Sequence, residues 1–354
     1  MSVITQYKSF AKRRLIFIFV VFIILIVVIL FAIISGSAGI SMDNVLSVIL
    51  GRGSEFEQQI VLKIRLPRIL GAILAGTALS VSGAVMQSIL RNPLASPFTL
   101  GISGAAAFGA AFAIVVFGAG SNYSGSNDAV ILNNPYVVIT SAFTWSMAGL
   151  AVILIISRYR GATPEVMILS GIIISSLFSA GISALQYFAN DVQLASVIFW
   201  SFGDLGRAGW NDVLILSVVL IPILGFFFSQ SWNYKSLQSG DELAKSLGVN
   251  VAKVRLMGMI ASSLCTAIVV SFYGIIAFVG LVVPHIVRRC IGGDEQFVIP
   301  ASALFGGMFL LFSDTIARTI ISPVILPVGI LTSFIGAPLF LFLLIRGFGK
   351  GYWI

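Results

Sequence analysis

The chain has 354 residues, of which 58% are hydrophobic and 10% charged, and a mean hydropathy of +1.06. An ordinary globular domain runs about 45–50% apolar and about 25% charged, so the composition excludes a soluble protein and points to a lipid bilayer. Lys and Arg number 21 against 13 Asp and Glu, a balance of +8; in a membrane protein such an excess reflects topology rather than nucleic-acid binding.

Lys8, Lys12, Arg13 and Arg14 precede an apolar run from Leu15 to Ile34. A secretory signal has an apolar core of about 7–15 residues; this run is long enough to be retained as a first spanning helix with its N-terminus in the cytoplasm. Further apolar stretches fall near 67–90, 98–118, 136–157, 166–188, 213–229, 256–275, 277–290, 297–318 and 325–345. Each approaches the roughly 20 residues of a membrane span, so the expected fold is all-α and integral to the membrane, with ten spans in one domain over 1–354. Gly274, Gly280 and Pro284 interrupt the seventh and eighth stretches and predict a turn near Gly274 followed by a short helix. Ten spans put both termini inside. Segments 1–14, Arg91, 158–165, 231–255, 288–296 and 346–354 then collect 15 of the 21 basic residues, as the positive-inside rule requires.

Helices in lipid associate through small residues and interhelical hydrogen bonds. Ala72, Gly76, Ser80 and Ala84 form such a seam on the second span, and Gly101, Ala105 and Gly109 on the third. Ser175, Ser179, Ser183, Gln186 and Asn190 share a face of the fifth span, either as hydrogen-bonding glue or as one wall of a polar pathway. Asp314, four residues before Arg318, reads as an ion pair near a membrane boundary, and His285 beside Pro284 as structural. Cys265 and Cys290 make no disulfide framework or metal-ligand pair. No catalytic constellation is visible, and Gly347-Phe348-Gly349-Lys350 lacks the P-loop spacing, so any ATP must be hydrolysed by another polypeptide.

The segment 231–255 is the longest inside loop. Ser239-Gly240-Asp241-Glu242 reads as a capping box opening a short helix, with Leu243, Ala244 and Leu247 on one side and a stop at Gly248. Asn250 can cap the helix that follows, and the pair suits a docking knob for a cytoplasmic partner. At the other face Arg65-Leu66-Pro67-Arg68 opens the second span, its arginines either snorkelling to headgroups or recognising acidic groups on an external partner.

RLPRILGAILAGTALSVSGAVMQSILRNPLASPFTLGISGAAAFG (65–109), GDELAKSLGV (240–249), FVGLVVPHIVRR (278–289), SDTIAR (313–318) and PVGILTSFIGAPLFLFLL (327–344) together resemble the FecCD/BtuC family, permease subunits of ABC importers for ferric siderophores, haem and cobalamin. The resemblance runs from about residue 60 to the C-terminus. It implies a type II importer permease in the bacterial inner membrane, paired with a second permease subunit of the same or a related chain. Two ABC ATPases lie below, carrying ATP and Mg, and a substrate-binding protein above. By the same resemblance Arg65, Arg68 and Arg318 dock the binding protein, and Asn92 and Leu94 form a cytoplasmic gate. A second constriction lies near 161–165. Asp241, Glu242, Leu243, Ala244, Leu247 and Gly248 couple to the ATPase, and the Ser175, Ser179 and Ser183 stripe lines the pathway. No cofactor or metal site is expected in this chain. A ferric siderophore is the favoured cargo, with haem or cobalamin as alternatives. A gradient-driven secondary transporter is the rival class, and the scarcity of acids within the spans argues against it.

Overall fold

The computed structural model describes residues 3–36, 39, 41–119 and 134–347, and among them there are helices and turns but no strand. Ser37-Ala38, residues 348–354 and hence Gly349-Lys350 of the C-terminal segment lie outside the described residues. In chain order the helices are α1 Val3–Ile34, α2 Met42–Ile49, α3 Glu55–Gln58, α4 Leu66–Ile89, α5 Ile102–Val115, α6 Pro135–Arg160, α7 Pro164–Phe188, α8 Asp191–Ser201, α9 Trp210–Ser229, α10 Ser231–Gln238, α11 Asp241–Ser246, α12 Val251–Tyr273, α13 Val279–Ile291, α14 Glu295–Ala317 and α15 Val328–Gly347. A π-helical stretch, Gln59–Arg65, joins α3 to α4.

Each apolar stretch of the sequence coincides with one of α1, α4, α5, α6, α7, α9, α12, α13, α14 and α15. Seven helical segments among the described residues are long and apolar enough to cross a bilayer unaided; α5, α13 and α15 carry shorter apolar runs. Local chemistry sets the boundaries. Asn134, Thr163 and Asn190 accept the amides of Val137, Val166 and Gln193 at the starts of α6, α7 and α8, the first two with Pro at the opening position. Gly274, at φ +75°, ends α12 where a turn was expected, and α13 follows as the short helix.

The core forms around α4 and α12, while α1, α6, α7 and α9 turn most of their apolar surface outward. On α4 the small-residue seam meets α14 and α13. A Cβ on Gly76 would collide with the Gly306 carbonyl, and one on Gly83 with that of Gly280. At this approach side-chain hydroxyls reach the neighbouring backbone: Ser80 Oγ donates to Ser302 O at 2.7 Å and Thr77 Oγ1 to Ala303 O at 2.8 Å. On α5 the seam is Ala105 and Gly109, packed on Gly149 and Ser141 of α6. Gly101 departs from that expectation: it precedes the helix at φ +77° and faces α7.

Gly83→Ala must therefore push α4 and α13 apart, whereas Gly104→Ala meets nothing within 4 Å. Thermal unfolding of the detergent-purified protein should show Gly83→Ala strongly destabilised. Gly104→Ala should be unchanged or stabilised by about 0.5–1 kcal/mol, the helical preference of Ala over Gly.

Candidate functional site

The functional residues expected from the sequence gather at two opposite ends of the bundle. At the first, α10, α11 and the start of α12 pack beside the C-terminal end of α4. The capping box at Ser239 is not formed. Gly240, at φ +115°, is the residue that precedes α11, so Ser239 instead closes α10, its amide donating to Ser236 O at 3.2 Å. Asp241, the first residue of α11, turns its carboxylate to Arg255 Nη2, at 2.9 and 3.2 Å, with Arg91 Nη1 3.7 Å away.

The helix stops as expected. Gly248, at φ +83°, donates to Lys245 O at 2.9 Å and Val249 to Ala244 O at 3.0 Å, the paired bonds of a Schellman motif. Leu243, Ala244 and Leu247 do not share one environment: Ala244 is buried against the bundle, while Leu243 and Leu247, one turn apart, are about half exposed. Glu242 is exposed beside them, and Asn250 caps α12 by accepting the amide of Lys253 at 3.1 Å.

Asn92 and Leu94 follow the end of α4. Arg91 takes the left-handed position, φ +47°, that glycine usually fills after a helix. The Asn92 amide donates to Gln87 O at 3.1 Å, and its Oδ1 accepts the Leu94 amide at 2.9 Å, which leaves the Leu94 side chain exposed. The turn from Gly161 to Thr163 lies close by, linked to this end through Arg255 Nη1, which donates to Ala162 O at 2.9 Å.

Ser175, Ser179 and Ser183 lie along α7 at one-turn intervals. Ser175 abuts Gly101 at the start of α5, while Ser179 and Ser183 are exposed, the latter donating to Ser179 O at 3.1 Å. An apolar cleft of about 520 Å³ lies elsewhere, between the end of α8, the connector after α12 and α15. Phe202, Ile275, Ala277, Ile330, Phe334 and Pro338 are among its lining residues. His285 sits edge-on to Phe340, with ring centroids 6.1 Å apart. Among the described residues no group of three or more His, Cys, Asp or Glu is placed to hold a metal.

At the opposite end, Arg65, Arg68 and Arg318 are all buried and none snorkels. Arg65 donates to the Ile33 and Ile34 carbonyls, and Arg318 to Ser35 O at 3.1 Å and Ala32 O at 2.7 Å, so two guanidiniums cap the exposed C-terminus of α1. Asp314 is fully buried and forms the expected ion pair with Arg318. Its main partner is Arg68, by Nε at 2.9 and 3.1 Å and Nη2 at 2.8 Å. Arg318 Nε lies 3.6 Å from Asp314 Oδ2, the longer of the two ion pairs. All three arginines border a cavity of about 240 Å³ with Gly36, Ile60, Ile64 and Ile325. Three cations face one buried carboxylate and the half-buried Asp204, 3.8 Å from Arg68, which leaves the pocket positive.

The family model of the FecCD transport family matches residues 24–346. The chain belongs to that family. It is 50% identical over 346 residues to a protein of Methanocaldococcus jannaschii named as an ABC transporter permease, covering 98% of this chain and 99% of that one. It is 40% identical over 287 residues to the hemin transport system permease protein of Yersinia pestis, covering 80% and 83%. Its fold matches a chain of a metal-chelate type ABC transporter in an inward-facing conformation, with a TM-score of 0.81, 31% identity, and 93% and 98% of the two chains covered.

Two polar groupings of this FecCD protein escape the sequence reading. Arg255 is one. The other is Arg288, which donates to Glu295 Oε1 at 2.8 Å and Ala84 O at 3.1 Å and also bonds Gln87, while Gln238 bonds Glu295 from α10. A signal existed for Arg255: a cation near the start of an apolar helix sits at the wrong end of the helix dipole and needs a partner elsewhere.

Asp314→Ala leaves Arg68 buried without its carboxylate, a loss of about 3–5 kcal/mol for a broken buried pair. Denaturation in mixed micelles should show it, while Glu242→Ala, on an exposed residue with no recorded partner, should stay within about 0.5 kcal/mol of the parent.

Proposed function

We propose that this chain is the permease subunit of an ATP-driven ABC importer in the cell membrane, with ten spans and both termini cytoplasmic. The observation that carries the proposal is the match along nearly its whole length to a relative named as an ABC transporter permease. The end of the bundle bearing α11 is cytoplasmic, and the arginine pocket faces outward. Two permease subunits, alike or related, work with two ATPase subunits that hold ATP and Mg, and an external binding protein delivers the cargo.

The chain performs no covalent chemistry in this scheme. Leu243 and Leu247 project from α11, a helix fixed at its far end by the Schellman turn, and insert into the ATPase surface. Closure of the ATPases moves α11, and the segments around Asn92, Leu94 and 161–165 open or close the pathway at the cytoplasmic side. The arginine pocket receives acidic side chains of the binding protein, adding carboxylates where three cations share one buried acid. The apolar cleft beside α15 forms part of the wall along which a bulky ligand passes, with Ser175, Ser179 and Ser183 contributing from α7 once a second subunit covers them. A ferric siderophore is the proposed cargo, in line with the likeness to a metal-chelate transporter. Haem is the alternative raised by the hemin permease relative, and cobalamin belongs to the same range of large chelates.

Expression with its genomic neighbours, purification in mild detergent and native mass spectrometry should return two permease subunits and two P-loop ATPases; recovery of this chain alone, where a control importer stays assembled, would count against the proposal. In that preparation Leu243→Asp with Leu247→Asp should release the ATPases without unfolding the permease. Arg65→Gln and Arg318→Gln should weaken binding of the external protein about tenfold or more, as expected for losing charge-assisted contacts. Unchanged affinity in variants of native thermal stability would remove the arginines from docking.

A further inference from the structure

Arg255 is 3% exposed, and its guanidinium reaches three separate segments. Nε donates to Ile89 O at 2.9 Å in the last turn of α4, Nη1 to Ala162 O at 2.9 Å between α6 and α7, and Nη2 to the Asp241 carboxylate at the first residue of α11. We propose that Arg255 is the positioning residue that passes movement of α11 to the ends of α4 and α6, linking the ATPase-facing helix to both cytoplasmic gate segments. The inference rests on the ABC importer reading above.

Three features favour a transmitting role over simple filling of space. First, α11 has little other grip on the bundle. Of its six residues only Ala244 is buried, and its second ion pair, Asp241 with Arg91 at 3.7 Å, leads to the same end of α4. Second, the guanidinium is planar and rigid, with its donors in a fixed fork. A shift of the Asp241 carboxylate therefore reorients the arms that hold Ile89 and Ala162 together, whereas a lysine would offer one swivelling point charge. Third, a buried cation cannot release its partners without leaving the charge and the carbonyls unsatisfied, so the three segments move with it. Each receiving helix end runs directly into a left-handed turn: Gly161, just before Ala162, has φ +89°, and Arg91, two residues after Ile89, has φ +47°.

The test uses the assembled transporter in nanodiscs, with Cys290→Ser to remove the exposed thiol. Spin labels at Lys245 on α11 and at Tyr159 on the end of α6 are each paired with one at the exposed Val218 on α9, and distances are measured with and without ATP, alongside uptake per ATP hydrolysed in proteoliposomes. In the parent both distances should shift with ATP. In Arg255→Gln the Lys245 distance should still shift while the Tyr159 distance stays fixed, and uptake per ATP should fall about tenfold, within the usual range of coupling energies. Arg255→Lys, which keeps the charge and loses the fork, should fall with it. Asp241→Asn, which weakens the outer arm of Arg255 together with the longer Arg91 contact at a part-exposed carboxylate, should give the same signature and decides the matter where an Arg255 variant fails to assemble. Native Tyr159 shifts and native uptake per ATP in these assembled variants would overturn the role of Arg255 alone. A parent chain that brings down no ATPase would overturn the importer reading and this inference with it.

Discussion

The close approach of α4 to α13 and α14 is the constraint on which the rest of the protein depends. In water a bundle of this size is held by exclusion of apolar surface, but lipid removes that drive, because the chains around the protein are as apolar as its own side chains. What remains is contact between backbones, and contact needs residues without bulk. Gly76 against Gly306 and Gly83 against Gly280 bring helices so near that Ser80 and Thr77 donate to carbonyls across the seam. The packing that stabilises the centre also fixes where the ends of α4 emerge, and both sets of functional residues hang from those ends.

The two ends apply the same physics to different effect. A helix terminus leaves carbonyls without intrahelical partners, and at each end this protein satisfies some of them with a guanidinium from another helix. At the outer end Arg65 and Arg318 cap α1, and at the inner end Arg255 caps the last turn of α4. An arginine used in this way is held by the bundle and still carries a charge. At the first of these ends, the two capping arginines border one small cavity with Arg68, which is paired with Asp314. At the α11 end, the remaining arm of Arg255 is spent on Asp241, so the charge ties a short, mostly exposed helix to the core.

The spans and their order were legible because bilayer crossing imposes length and apolarity on the sequence itself, and the turn at Gly274 because glycine marks a backbone that other residues resist. The stop at Gly248 and the cap at Asn250 were legible for the same local reason. The failures share a cause of another kind. Ser239 carries the right side chain for a cap but sits one residue too early, a register that depends on how α10 ends. Asp314 forms the ion pair its own helix offers at Arg318, but the sequence offers no means of knowing that Arg68, 246 positions earlier, meets it more closely. The burial of Arg65, Arg68 and Arg318 and the triple contact of Arg255 are likewise products of tertiary arrangement. Short helices such as α8 and the π-helical turn before α4 lack the long apolar run that made the spans visible.

The shared arginines and the apolar cleft are placed by the same membrane constraint. The cleft beside α15 is lined mostly by Phe, Ile, Ala and Pro, so what it offers is shape and apolar surface. Charged residues are costly within the membrane, and here they concentrate near the helix ends, with the densest hydrogen bonding where α4 meets α10, α12, α13 and α14. Glu295, Arg288, Gln87 and Gln238 join four helices there, a short distance along α4 from the Arg255 contact at Ile89. The polar network and the Arg255 fork thus grip successive turns of the same helix. A displacement arriving through α11 meets α4 as a braced rod, 24 residues and about 36 Å long at 1.5 Å per residue, whose far end begins between Arg65 and Arg68.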